Sequence, residues 1–102
     1  MKRMLVRYRV KPERAQENRK LIETVFSQLR EAAPAGLGYA SFQLEDGVSF
    51  VHMASIDTED DSNPLAVLDA FKAFTRDIQE RCDEPPLAMG MTEIGAYRFF
   101  AE

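Results

Sequence analysis

The sequence predicts an α+β fold of order βαββαβ: a four-stranded antiparallel sheet with two helices packed on one face. Three observations predict it. Asp46-Gly47 joins two runs of alternating side chains in the middle of the chain, one run of helical periodicity lies on either side of that hairpin, and a further alternating stretch lies near each end. Right-handed crossovers between parallel strands put both helices on the same side of the sheet, the ferredoxin-like arrangement. At 102 residues the chain makes one domain, residues 1–102, large enough to bury a modest core without staples.

The first strand is Met4 to Val10, with Met4, Val6, Tyr8 and Val10 on one face and Leu5, Arg7 and Arg9 on the other. Five of the thirteen basic residues (Lys2, Arg3, Arg7, Arg9 and Lys11) crowd this stretch, with acids such as Glu45 and Glu93 as candidate ion-pair partners. Pro12 presets a first helical turn, and Leu21, Ile22, Val25, Phe26, Leu29 and Ala33 recur at helical spacing, so a long helix runs over 13–33 until Pro34-Ala-Gly36 ends it. Asn18 falls on the apolar stripe of that helix, where a buried amide needs partners in a strand edge, a loop or a ligand.

In the central hairpin a two-residue turn makes facing positions sum to 93, which sets Ser41 opposite His52 and Tyr39 opposite Ala54; a bulged three-residue turn shifts the pairing by one and gathers His52 with Ala40 and Phe42. In the first register Ala40, Phe42, Leu44, Val51 and Met53 form an almost wholly apolar face, expected under the helices. Tyr39, Ser41, Gln43, Phe50, His52 and Ile56 form a mixed face, expected to meet another chain or a ligand, and Arg7 and Arg9 are assigned to that mixed face.

Ser62 or Asn63 caps a second helix, whose inner stripe is Val67, Leu68, Phe71, Phe74, Thr75, Ile78 and Cys82; Asp83-Glu-Pro-Pro86 stops it. The fourth strand is placed at 87–100, with Met91, Glu93, Tyr97 and Phe99 on one face. Two helices cover only one face. Four or five of Leu5, Tyr39, Phe50, Ile56, Tyr97 and Phe99 then remain on the other, at about 1.5–3 kcal/mol each for full burial. A second copy of the sheet covers them, so a homodimer is expected.

Composition narrows the function. The net charge of −4 disfavours a phosphate-tracking surface, and no stretch reads as a signal peptide or membrane span, because Arg7 and Arg9 interrupt the first apolar run. The one cysteine, Cys82, makes no internal disulfide and suits a reducing, cytoplasmic setting. One His and one Cys cannot supply a closed nitrogen–sulfur metal site, and the acids at 57, 59, 60 and 61 lack the spacing of a calcium loop, so no metal or cofactor is expected. Gly47-Val-Ser-Phe-Val-His-Met53 echoes an RNA-recognition strand but lacks its basic residue and stacking aromatics.

Met4-Leu-Val-Arg-Tyr-Arg-Val-Lys-Pro12, the long first helix with Asn18, and Gly38-Tyr-Ala-Ser-Phe-Gln-Leu-Glu-Asp-Gly-Val-Ser-Phe-Val-His52 resemble the antibiotic-biosynthesis-monooxygenase-like proteins of the dimeric α+β barrel superfamily. The resemblance implies a homodimer whose sheets close into a barrel, each subunit with a cavity, between sheet and helices or within the barrel, for a small hydrophobic or aromatic ligand. It implies activities from oxygenation of aromatic polyketides without metal or flavin, through haem degradation and isomerisation of small acids, to ligand binding alone. Haem-degrading members use an Asn, Trp and His set, and this chain has no Trp. For cofactor-free oxygenation of an aromatic or enolisable substrate, His52 is the candidate catalytic base, and Arg7, Arg9, Asn18, Tyr39, Ser41 and Tyr97 are candidates to hold the ligand or its anion. A non-catalytic, ligand-binding homodimer is the alternative.

Overall fold

The central hairpin has the first of the two registers: Ser41 faces His52, Tyr39 faces Ala54 and Phe42 faces Val51. Its loop is longer than a two-residue turn, because Leu44 N–H donates to the Ser49 carbonyl and Gly47 N–H to the Leu44 carbonyl. Only Gly47 has positive φ (78°), while the Asp46 carboxylate accepts from the backbone amides of Val48 and Ser49. Asp46 thus stabilises the turn as an acceptor rather than by adopting a left-handed backbone.

The computed structural model describes residues 1–100. Strands β1 (Lys2–Val10), β2 (Leu37–Gln43), β3 (Ser49–Ile56) and β4 (Cys82–Gly90) form one antiparallel sheet of order β2-β3-β1-β4. Helix α1 (Ala15–Ala32) follows a short 3-10 turn at Pro12–Arg14 and ends at Ala33 in the left-handed region, just before Pro34. The second helical stretch is broken into a 3-10 turn at Pro64–Val67, α2 (Asp69–Arg76) and α3 (Ile78–Arg81). Asn63 caps the first of these, its side-chain oxygen accepting from the Leu65 amide at 3.0 Å. At Gly36 (φ 78°) a Cβ would stand 2.6 Å from the Asp57 carbonyl oxygen, so the chain reaches β2 through a position that only glycine fits. No helix of the described residues is long and apolar enough to cross a membrane.

Two expectations are corrected. The fourth strand begins at Cys82 and ends at Gly90, so Asp83-Glu-Pro-Pro86 lies in a strand rather than in a helix stop. Strand β4 is an edge strand paired only with β1, and the ladder shifts register between the Arg7–Leu87 and Arg9–Glu84 pairs, beside the two prolines. An edge with a bulge is where a sheet tolerates residues lacking an N–H.

The two faces of the sheet are also exchanged. Tyr8, Val10, Phe50, His52 and Ile56 are buried, and Tyr8, Val10 and Phe50 pack with Ile22, Val25 and Phe74 of the helices. The mixed face is therefore the covered one. Alternation then sends Arg7 and Arg9 to the open face with Leu5, Val51 and Met53: Arg7 stands opposite Val51 and Leu87, and Arg9 is 3.4 Å from Glu84. Phe50, Ile56 and Tyr39, expected to need a partner chain, pack under the helices instead.

Residues 91–100 fold back over the open face. Met91 N–H donates to the Arg3 carbonyl, Arg3 is paired with Glu93, and the Phe100 ring lies 5.4 Å from that of Phe42. Ile94, Tyr97, Phe99 and Phe100 of this segment remain largely exposed.

Candidate functional site

Six strand and helix positions bring a chain of polar groups into the core. Tyr8 on β1, His52 on β3, and Tyr39 and Ser41 on β2 project to the helix side, where Asn18 comes down from α1 and Arg81 from the end of α3. Arg81 is 1% exposed and Asn18 0%. The Arg81 Nε–H donates to Asn18 Oδ1 at 3.1 Å, and its Nη2 donates to the Phe74 carbonyl. Asn18 Nδ2 donates to the Tyr8 hydroxyl at 2.9 Å, and that hydroxyl lies 2.7 Å from His52 Nε2. His52 Nδ1 is 2.6 Å from the Ser41 hydroxyl and 3.1 Å from that of Tyr39.

The direction of each bond follows from Arg81, which can only donate. Asn18 must turn its carbonyl oxygen to Arg81 and its NH2 to Tyr8. Tyr8, already accepting, spends its own proton on His52 Nε2. His52 is thus neutral, with its proton on Nδ1, where it is donated toward Ser41 and Tyr39. Protonating Nε2 would leave the Tyr8 proton without an acceptor. Burial acts in the same sense, pushing the His52 pKa from 6.5 down to about 4. Burial also pushes both phenols up, Tyr8 well above the usual phenol range and Tyr39 to about 12. Among the described residues, no buried side-chain nitrogen or oxygen lacks a partner.

The rings reinforce this order. Tyr8 lies parallel to Phe50 and His52 at 5.6 and 5.3 Å between centroids, His52 to Tyr39 at 5.9 Å, and Phe74 tilts against His52 at 5.3 Å. The Arg81 guanidinium lies 5.4 Å from the Phe74 ring centre. Such contacts offset part of the cost of burying a cation that has no ion-pair partner within 4.0 Å among the described residues.

A cavity of about 320 Å³ lies between sheet and helices, walled by Val6, Ile56, Leu65, Phe71, Phe74 and Ile78. Tyr8, Tyr39 and His52 supply its polar floor, with Asn63 and Thr75 also on its lining. Apolar walls with a few convergent polar groups are the usual make-up of a small-molecule site, and this volume lies at the small end of the range. A wider groove of about 510 Å³ runs between α1 and the β2 edge, with Arg19, Arg30 and Phe26 on the helix side and Ser41 on the sheet side. His52 and its partners therefore stand between two openings.

Of the residues singled out from sequence, His52, Asn18, Tyr39 and Ser41 come together. Arg7 and Arg9 do not, being on the opposite face, and Tyr97 is 81% exposed in the segment that crosses that face. Tyr8 and Arg81 were missed. Both were within reach of the pattern: Tyr8 is the one hydroxyl among Met4, Val6 and Val10, and Arg81 stands three residues after Ile78 and seven after Phe74, on the inner stripe.

No protein-family model matches the chain, and no curated protein is similar to it in sequence. Solved structures do match. An antibiotic biosynthesis monooxygenase superposes with a TM-score of 0.75 at 16% identity, over 93% of this chain and all (100%) of that one. A protein from Nitrosomonas europaea named for the same group gives 0.75 at 16% identity, with the same coverage of 93% and 100%. Rv0793 from Mycobacterium tuberculosis gives 0.74 at 14%, over 93% and 96%. The chain has the antibiotic biosynthesis monooxygenase fold. At such identities the likeness is one of architecture, and the Arg81–Asn18–Tyr8–His52 chain is read from this protein's own geometry.

Proposed function

We propose that this chain works as a homodimer that binds a small, mainly apolar, aromatic or enolisable molecule in the helix-side cavity and oxygenates it without metal or flavin. The observation that carries the reading is the cavity itself, about 320 Å³, with mainly apolar walls and Tyr8, Tyr39 and His52 on its lining. Such a lining holds the single polar group of an otherwise greasy ligand, and molecular oxygen is the co-substrate once that ligand is an anion. Within this reading His52 acts through the hydroxyls of Tyr8 and Tyr39, since both of its ring nitrogens are already engaged. The open sheet face, with Leu5, Phe42, Val51 and Met53 half-buried, is covered by the second copy.

One observation favours binding without turnover. Neutral partners engage both nitrogens of His52, and a base with a pKa of about 4 draws a proton weakly from a phenol or enol. Oxygen uptake separates the two readings. Consumption with quinol or anthrone substrates that is lost in His52→Ala, with the dimer intact by sedimentation, supports oxygenation. No consumption over such a panel, with a small molecule retained in native mass spectrometry, supports binding alone. Neither consumption nor a retained ligand removes both.

A further inference from the structure

The polar floor of the cavity has a fixed proton order, and that order has a consequence for what it can hold. Arg81 carries donors and no acceptor, so each group after it along the chain is committed: Asn18 accepts from Arg81 and gives to Tyr8, and Tyr8 gives to His52 Nε2. The single proton of neutral His52 sits on Nδ1, shared toward Ser41 Oγ at 2.6 Å and Tyr39 Oη at 3.1 Å. Tyr39 therefore cannot donate back to that nitrogen, and its own hydroxyl proton is left over on the cavity side, since Tyr39 lines the cavity. The Ser41 hydroxyl is placed to give its proton to the Tyr39 oxygen, which leaves the Tyr39 proton as the free one. His52 Nε2, the one strong acceptor in the floor, is already taken. Of the other polar side chains on the lining, Asn63 uses its oxygen on the Leu65 amide and has NH2 donors to spare. Thr75 gives its proton to the carbonyls of Phe71 and Lys72, so its oxygen is an acceptor, but Thr75 is itself exposed and stands away from Tyr8, His52 and Tyr39 in the hydrogen-bonded chain.

We infer that the cavity selects ligands that accept a hydrogen bond at its floor, such as an aryl ketone, over ligands of the same size that only donate one. Arg81 and Asn18 set this selectivity without touching the ligand, by fixing the direction in which Tyr8 and His52 point their protons. Tyr39 is the group that makes the contact. The inference rests on the proposed ligand site and specifies which chemistry that site takes, whether or not turnover follows.

Three bicyclic probes of similar size test it by calorimetry: 1-indanone, which only accepts, indole, whose N–H donates, and indane, which does neither. Indanone is expected to bind about fivefold or more tightly than indole, one neutral hydrogen bond being worth about 1 kcal/mol net. Tyr39→Phe is expected to erase that difference while indane still binds. Equal binding of indanone and indole, or tighter indole, overturns the inference while leaving the cavity a ligand site. Failure of all three probes, indane included, removes the site and the inference together. Because Arg81 variants risk unfolding, the directional part is read in the unaltered protein: ¹⁵N chemical shifts of the chain's one histidine should show a protonated Nδ1 and a bare Nε2 at neutral pH. The opposite tautomer overturns the proton order and with it the role of Arg81.

Discussion

On the helix side of the sheet, Tyr8, Phe50, His52 and Ile56 are between 2% and 5% exposed, whereas on the other side Leu5, Phe42, Val51 and Met53 are half-buried and Arg7 and Arg9 are exposed. The covered side carries the imidazole, two phenols and a serine; the open side is the more apolar along β2 and β3. Polarity of a strand face is thus a poor guide to which face is sealed. What decides it is whether the polar groups can complete one another. Tyr8, His52, Tyr39 and Ser41 largely can, once Asn18 and Arg81 arrive from the helices, and then every buried side-chain nitrogen and oxygen of the described residues has a partner. The open side is left with apolar area, part of it crossed by residues 91–100, and the proposed second copy would cover the rest.

Breaking the covered side should have the largest effect. Phe74→Ala removes the ring that packs against Tyr8, His52 and Phe71 and lies beside Arg81, and should cost about 3–5 kcal/mol of unfolding free energy, measured by urea denaturation. A loss below about 1 kcal/mol would mean that the helix does not seal this face. On the open side, Met53→Asp places a carboxylate between Leu5 and Ala40 and should weaken the proposed dimer about 100-fold or more, with the monomer's circular dichroism unchanged. Sedimentation velocity checks it, and an unaltered association constant would place the interface elsewhere.

Between pH 6.5 and 4, acid should act chiefly through His52 on the covered side. His52 has its pKa lowered from 6.5 to about 4 in the folded state, so the unfolded chain binds the extra proton between these values. Stability from this group is complete above about pH 6.5 and falls as pH drops toward 4, by about 3 kcal/mol in all. Urea midpoints for the wild type should show that decline, and His52→Gln should flatten it. The smallest effect belongs to the arginines that sequence placed beside His52: Arg7→Ala with Arg9→Ala should leave ligand affinity in the cavity unchanged within about twofold, by calorimetry.

Much of the fold was legible because alternation and helical spacing are local. The hairpin register followed from Asp46-Gly47, and the first helix from its stripe and Pro34. The fourth strand was not legible, since Pro85 and Pro86 read as a helix stop until β4 is known to be an edge. The candidate site was legible in part, with His52, Asn18, Tyr39 and Ser41 each singled out and brought together by the fold, but not in its wiring. Tyr8 and Arg81 complete it only through contacts 10 and 63 residues apart from Asn18, which no local pattern encodes. The misplaced arginines share that origin: in the sequence a mixed face reads as the wet one, and charge goes with it.

Titration of the His52 ring by NMR tests most directly whether the polar face is the sealed one. Its resonances are expected to move with a midpoint near pH 4, in step with the loss of stability in acid. A free, reversible titration near pH 6.5 in the folded protein would put His52 in water and contradict the covered face, the wired network and the cavity built on them.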